Sequence, residues 1–324
     1  MEYRTLGRTG LKVSPLCLGT MNFGPRTSEP DSHEIMNKAL ELGINFFDTA
    51  NVYGQVMGKG ATEEIIGRWL AQDPARRKQI VLATKVYARM EDDPNGERLS
   101  AYNIRRACED SLRRLQTDHI DLYQMHHVDR LTPWEEIWQA MELLIQQGKI
   151  IYVGTSNFAG WHLAQGNAAA RERNLLGLVS EQCHYNLATR MVELEVLPAA
   201  QAMGMAVIPW SPLAGGVLGG KLQGAEEKAR RSTQMNINRQ QKLQGQLDRW
   251  EQFCQARGEQ PADLALAWLL HNPIVTAPII GPRTMDQLTN SLRALEIRLS
   301  GEELSQLDEI WPGPGGTAPE AWAW

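Results

Sequence analysis

Asp48, Tyr53, Lys85 and a histidine at 126 or 127 are the residues whose types and spacing could do chemistry. A phenol ionises near a pKa of about 10 and is a poor acid at neutral pH. An ammonium group beside it favours the phenolate and makes the phenol a better proton donor. A carboxylate beside the ammonium offsets the cost of burying a lysine. Such a set would let Tyr53 protonate a carbonyl oxygen as hydride arrives at the carbonyl carbon, with the histidine orienting that carbonyl. Taken singly, the same residues read as a turn-capping Asp, a surface Tyr and a structural ion pair. Their positions favour the chemical reading.

The stretch Asn45-Phe46-Phe47-Asp48-Thr49-Ala50-Asn51-Val52-Tyr53-Gly54 starts apolar and ends polar. Gly43 before it reads as a helix stop, and Ile44, Phe46 and Phe47 as strand formers. Asp48 is therefore expected at the exit of a short buried strand and Tyr53 in the following loop. Lys85 closes the apolar run Ile80–Lys85, and His126 closes Ile120–His126. Side chains alternate along a strand, so His126 and His127 cannot both face one interior, and periodicity does not choose between them.

The surrounding chain repeats one unit. Residues 2–16 read as a hairpin around Gly7-Arg8-Thr9-Gly10, and Leu16–Thr20 as a first buried strand. Helices are expected at 31–42, capped by Asp31 or Ser32, then at 62–70, 100–115, 133–147, 161–173 and 192–203. Strands are expected between them at 150–155, 178–182 and 206–210. A Gly-rich, then polar insertion over 212–238 is too long for an ordinary connection and reads as a lid or binding loop. Helices at 239–257 and 261–271, a strand at 276–280, a helix at 284–294 and an extra helix at 301–311 follow. The Pro/Gly-rich tail from Pro312 ends in Trp322 and Trp324, which are expected to pack on the protein. Eight strand–helix alternations with no break in composition imply one domain over 1–324 and a parallel sheet. The count favours a single closed (β/α)8 TIM barrel of the α/β class over a doubly wound sheet. No GxGxxG follows a strand, and Gly58-Lys59-Gly60 lacks the third glycine. In such a barrel, chemistry collects at the carboxyl ends of the strands, where Asp48, Lys85 and His126 fall.

Composition narrows the function classes. At 43% hydrophobic residues the chain can bury a large core, and a net charge of −5 disfavours nucleic-acid or anionic-membrane partners. Four scattered cysteines, with no CxxC, suggest neither a zinc site nor a disulfide framework. With no apolar leader or bilayer-length run, a cytoplasmic location is expected. A metal-dependent barrel hydrolase would need a His/Asp cluster at the strand ends, and only His126 is well placed, so no metal is expected.

The quartet, in this order, stands with Asp121-Leu122-Tyr123-Gln124-Met125-His126, Gly154-Thr155-Ser156-Asn157-Phe158, Pro209-Trp210-Ser211-Pro212-Leu213 and Ile280-Gly281-Pro282-Arg283-Thr284. Together these motifs resemble the aldo-keto reductases, from Leu6 to Trp324. The likeness is greatest to the branch of bacterial aldehyde and deoxysugar-ketone reductases and potassium-channel β-subunits. The resemblance implies a (β/α)8 barrel and reduction of a small-molecule carbonyl with NADP(H). Position by position, it makes Asp48, Tyr53, Lys85 and His126 the catalytic tetrad, the histidine after D-L-Y-x-x being His126.

For the cofactor the resemblance implies Gly19, Thr20, Met21 and Asp48 at the first strand ends. Ser156, Asn157 and Gln182 would hold the carboxamide, and Trp210 would stack on the nicotinamide. Ser211, Pro212, Leu213 and Gly215 would pass over the pyrophosphate, with Lys221 reaching a phosphate oxygen, although Gly215-Gly216 also read as linker chemistry. Gly281 and Arg283 open the last barrel helix, where a guanidinium suits a 2′-phosphate and so NADPH over NADH. The Lys-Ser common in the family is Gly281-Pro282 here, which removes one phosphate contact. Gln287 and Asn290 would meet the adenine. A substrate pocket is expected from Met21, Asn22 and Phe23, then Val52, Tyr87, His127 and the Trp-bearing tail, its polar wall suiting a hydroxylated, sugar-like carbonyl. The alternative is a regulatory module that holds NADP(H) as a redox reading with little turnover. Oligomeric state is not encoded in any feature of the sequence.

Overall fold

A computed structural model describes residues 1–220 and 234–320. The hairpin pairs β1 (Arg4–Thr5) with β2 (Lys12–Val13), Arg4 lying opposite Val13. It plugs the amino end of the barrel. Leu6 and Val13 are fully buried in a cluster with Cys17, Phe46, Val81, Ala83, Leu122 and Val179. Gly7 allows that close approach. Its φ is +56°, and a Cβ there would stand 2.6 Å from the Val179 carbonyl oxygen.

The barrel strands are β3 (Cys17–Gly19), β4 (Phe46–Asp48), β5 (Val81–Val86), β6 (Ile120–Met125), β7 (Ile150–Ser156), β8 (Leu178–Gln182), β9 (Ala206–Val207) and β10 (Ile279–Ile280). They form one eight-stranded parallel sheet ordered β10-β3-β4-β5-β6-β7-β8-β9. The ends meet through Thr276 N–H to Val207 O and Ile279 N–H to Pro209 O, both at 2.8 Å, which closes the barrel. Alternation divides the strands between two apolar layers. Phe46, Val81, Ala83 and Leu122 fill the interior, while Phe47, Leu82 and Tyr123 face the helix layer and join Trp69 and Trp138 there.

That layer comprises α1 (Glu29–Glu41), α2 (Ala61–Gln72), α3 (Ala101–Leu115), α4 (Trp134–Gln146), α5 (Gly160–Glu172), α6 (Val196–Ala202), α7 (Gln234–Lys242), α8 (Gln244–Arg257), α9 (Pro261–His271), α10 (Met285–Ser291) and α11 (Gly301–Ile310). Helix α1 begins earlier than the sequence suggests. Its cap is Ser28, whose hydroxyl accepts from Asp31 N–H at 3.3 Å, because Pro30 needs no N–H partner in the first turn. The helix expected over 192–203 is broken into a single turn at Met191–Glu193 and α6. The ring of Pro198 would clash with the carbonyl four residues earlier in a continuous helix. The last strand shrinks to Ile279–Ile280, since Pro278 has no N–H for the ladder. The helix expected over 239–257 is two helices meeting at Leu243. Residues 221–233 of the proposed lid, with Lys221, and both tail tryptophans lie outside the described residues.

Candidate active site

Inward parity at the carboxyl ends of β4, β5, β6 and β8 brings four polar side chains into the space above the apolar plug. Lys85, fully buried, donates from Nζ to Asp48 Oδ2 at 2.6 Å, to the Thr49 carbonyl at 2.8 Å and to the Tyr53 hydroxyl at 3.3 Å. Burial alone would lower the lysine's pKa. The charge of Asp48, aided by Tyr53, outweighs it and holds the ammonium above its usual range. Tyr53 is half-buried in the loop after β4, which is tied down by Asn51 N–H to Lys85 O and Tyr53 N–H to Ala50 O.

His126 follows β6, its N–H bonded to Val86 O at 2.9 Å. Its ring lies edge-on to Tyr53, centroids 5.9 Å apart. Burial, then the Lys85 and His127 charges, push its pKa down to about 2. The imidazole is therefore neutral at physiological pH, and its buried Nδ1 has no hydrogen-bond partner among the described residues. His127 stacks on it at 5.2 Å, near-parallel, with Tyr87 edge-on to His127 at 5.3 Å. Alternation would have sent the two histidines apart. They stack because the extended strand ends at Met125, and beyond it alternation no longer applies.

Three of the residues attributed to the nicotinamide site, Ser156, Asn157 and Trp210, meet at and beyond the ends of β7 and β9. Asn157, at φ +63°, accepts from Trp210 Nε1 at 3.0 Å and donates to the His126 carbonyl at 3.1 Å and to Ser156 Oγ at 3.0 Å. Trp210 stacks one face on His184 at 4.2 Å and remains half-buried. Gln182 donates to Asp48 Oδ1 at 2.9 Å, so its Nε2 belongs to the tetrad network. On the first strands Gly19 pairs with Asp48, Thr20 donates its hydroxyl to the Asp48 carbonyl, and Met21 and Val52 are half-buried beside them.

The Ser211–Gly215 segment is built rather than slack. Ser211 and Ala214 adopt positive φ, Pro212 is buried, Leu213 is half-buried, and the Ser211 hydroxyl accepts from Gly215 N–H at 3.1 Å. A Cβ on Gly215, whose φ is +72°, would stand 2.9 Å from the Asn236 amide. Linker chemistry does not fit that position. At the last strand, the Gly281 carbonyl accepts from Asn22, and Arg283 is half-buried. The backbone N–H groups opening α10 are partly spoken for: Thr284 Oγ accepts from Gln287 N–H, and Gln287 Oε1 from Arg283 N–H. Gln287 thus caps the helix, and Asn290 is exposed on its surface.

One expectation needs correction, and one residue was missed. Phe23 is fully buried in the outer core, with the Thr62 hydroxyl bonded to its carbonyl, so its side chain offers no wall to a substrate. Gln124 was not singled out, yet it donates to Asp48 Oδ1 at 2.9 Å and is fully buried. Its signal was present: an amide at inward parity two positions before His126 in a largely apolar strand. No group of three metal-ligating side chains occurs among the described residues, and no described helix is long and apolar enough to cross a membrane.

Residues 15–312 match the model of the Aldo/keto reductase family. The chain is 54% identical over its whole length to the whole of an uncharacterized oxidoreductase, YrpG, of Bacillus subtilis. It is 33% identical to norsolorinic acid reductase A of Aspergillus parasiticus, over 94% of this chain and 79% of that one. It is 34% identical to a putative voltage-gated potassium channel subunit beta of Schizosaccharomyces pombe, over 96% and 93% of the two chains. A closed parallel barrel, polar side chains gathered at its carboxyl end and matches of this length carry one conclusion: the chain belongs to the aldo/keto reductase family and is an oxidoreductase relative of the nicotinamide-dependent carbonyl reductases.

Proposed function

We propose that this protein reduces aldehydes and ketones to alcohols with NADPH, Tyr53 acting as general acid. The observation that carries the proposal is Lys85, buried and charged, within hydrogen-bond reach of both Asp48 and the Tyr53 hydroxyl. Bound reduced nicotinamide would supply the hydride taken up by the carbonyl carbon. The chain supplies the rest. Tyr53 gives its proton to the carbonyl oxygen, and the Lys85 cation stabilises the phenolate that remains. Asp48 keeps the lysine charged in a site that would otherwise strip its proton. His126, neutral down to a pKa of about 2, does not compete as an acid. It offers a ring nitrogen to orient the carbonyl. Water then reprotonates the phenolate.

The donor set fits the cofactor. Ser156, Asn157 and Gln182 would hold the carboxamide, Trp210 offers an aromatic surface to the ring, and the pinned Ser211–Gly215 segment suits the pyrophosphate. Arg283 would meet a 2′-phosphate, which supports NADPH over NADH. Val52, Tyr87 and His127 would line the substrate mouth, and the polar groups of Tyr87 and His127 suit a hydroxylated, sugar-like carbonyl. A carbonyl panel followed by loss of nicotinamide absorbance, with NADPH and NADH in parallel, tests the proposal. Turnover with NADPH is the expected result. Near-stoichiometric retention of the nucleotide across the panel would favour the regulatory alternative suggested by the channel-subunit relative.

A further inference from the structure

The Asp48 carboxylate is held from both sides. Oδ2 takes Lys85. Oδ1 takes two amides, Gln124 Nε2 and Gln182 Nε2, each at 2.9 Å. The two glutamines also touch, Gln182 Nε2 donating to Gln124 Oε1 at 3.2 Å. A carboxylate only accepts, so both amides must turn their NH2 groups towards it. Gln124 then presents its oxygen to the Gln182 amide nitrogen, and the Oε1 of Gln182 takes no part in these three bonds. Gln124 sits beside Lys85 in the β5–β6 ladder and opposite Gly154 in β7. A Cβ on Gly154 would lie 2.5 Å from Ser180 Oγ and 3.2 Å from Gln124 Cγ, so the missing side chain there leaves room for the aliphatic stem of Gln124.

We propose that Gln124 is a positioning residue of the reductase, fixing the rotation of Asp48 against Lys85 and the amide orientation of Gln182. An uncharged amide suits that task. It bonds the carboxylate without supplying a second cation to rival Lys85. An apolar residue of the same size would fill the space yet leave Oδ1 with one donor, letting the carboxylate turn and the ammonium drift from Tyr53. The inference rests on the reductase reading of Tyr53, so the two need separable tests.

Gln124→Met and Gln124→Glu, assayed beside Tyr53→Phe, provide them. Gln124→Met is expected to lower kcat by about 10- to 100-fold, the scale of a misplaced catalytic group, while the KM for the carbonyl changes little. It should also weaken NADPH binding, read by quenching of protein fluorescence without substrate, because Gln182 is no longer oriented. In Gln124→Glu a protonated carboxyl can donate to Asp48 and accept from Gln182, reproducing the amide. Its kcat should approach the parent value at low pH and fall as that shared proton is lost, giving a pH profile the parent lacks. A role in filling space alone predicts a parent-like kcat and NADPH affinity in Gln124→Met and no recovery at low pH in Gln124→Glu. Either result overturns the proposal, and the glutamate variant decides if the methionine variant fails to fold. Parent-rate turnover by Tyr53→Phe would instead sink the reductase mechanism.

Discussion

Two buried carboxylates sit at the same end of the barrel and live by different rules. Asp48 faces the interior and is bonded to a cation and two amides. Glu181 lies one residue before Gln182 but is turned outward, where it accepts from the Thr155 hydroxyl at 2.5 Å and from Phe158 N–H at 3.0 Å. Neutral donors do not offset full burial, and its pKa is pushed up to about 8. The interior site thus stores fixed charge beside a phenol. The outer site is a proton-carrying strut that closes the turn into α5. A carboxylate's partner, more than its depth, decides whether it serves chemistry or architecture.

The largest expected effect comes from breaking the interior set at its acid. Tyr53→Phe should cut kcat by about 10²- to 10⁴-fold, with NADPH affinity and unfolding midpoint near those of the parent. Steady-state kinetics beside a binding titration checks this, and an undiminished kcat would end the assignment. Lys85→Met should remove activity and also cost about 3–5 kcal/mol of stability in urea unfolding, because Asp48 is left buried without its cation. Phe46→Ala, at the opposite end of the same interior, should cost a similar ~3–5 kcal/mol yet leave kcat per folded molecule within a few-fold. Equal losses of kcat in the two variants would erase the distinction between plug and site.

Glu181 sharpens the contrast through pH. Its folded pKa lies above the ordinary value of 4.5, at about 8. Its contribution to stability is therefore fully present below about 4.5 and is lost as pH rises through about 8. Glu181→Gln should flatten that part of the stability–pH curve while leaving kcat nearly unchanged. A curve that keeps its slope would show that another group titrates there. The smallest change is expected away from both carboxylates: Arg283→Gln should narrow the NADPH-over-NADH preference by about tenfold, one guanidinium contact's worth, with kcat on NADPH at saturation little altered.

Much of the site could be read before the fold was seen. Asp48 and Lys85 end apolar runs, and a buried lysine needs an acid, so their pairing follows from residue type and position. Choosing His126 took the surrounding motif, since alternation was silent. Gln124 escaped because an isolated amide in a strand has no signature of its own. Phe23 was misplaced because an aromatic residue after a strand reads alike whether it lines a mouth or packs in the outer core. Pro198 and Pro278 shortened elements whose hydrophobic pattern ran straight through them.

The order of apolar runs and glycine stops in the chain was enough to determine a parallel barrel and the strand-end places of its ionisable groups, because alternation and the cost of burying charge act locally. Which amide reaches which carboxylate oxygen was decided only by the closed sheet. Gln124 and Gln182 are 58 residues apart, and only barrel curvature brings both within 2.9 Å of Asp48.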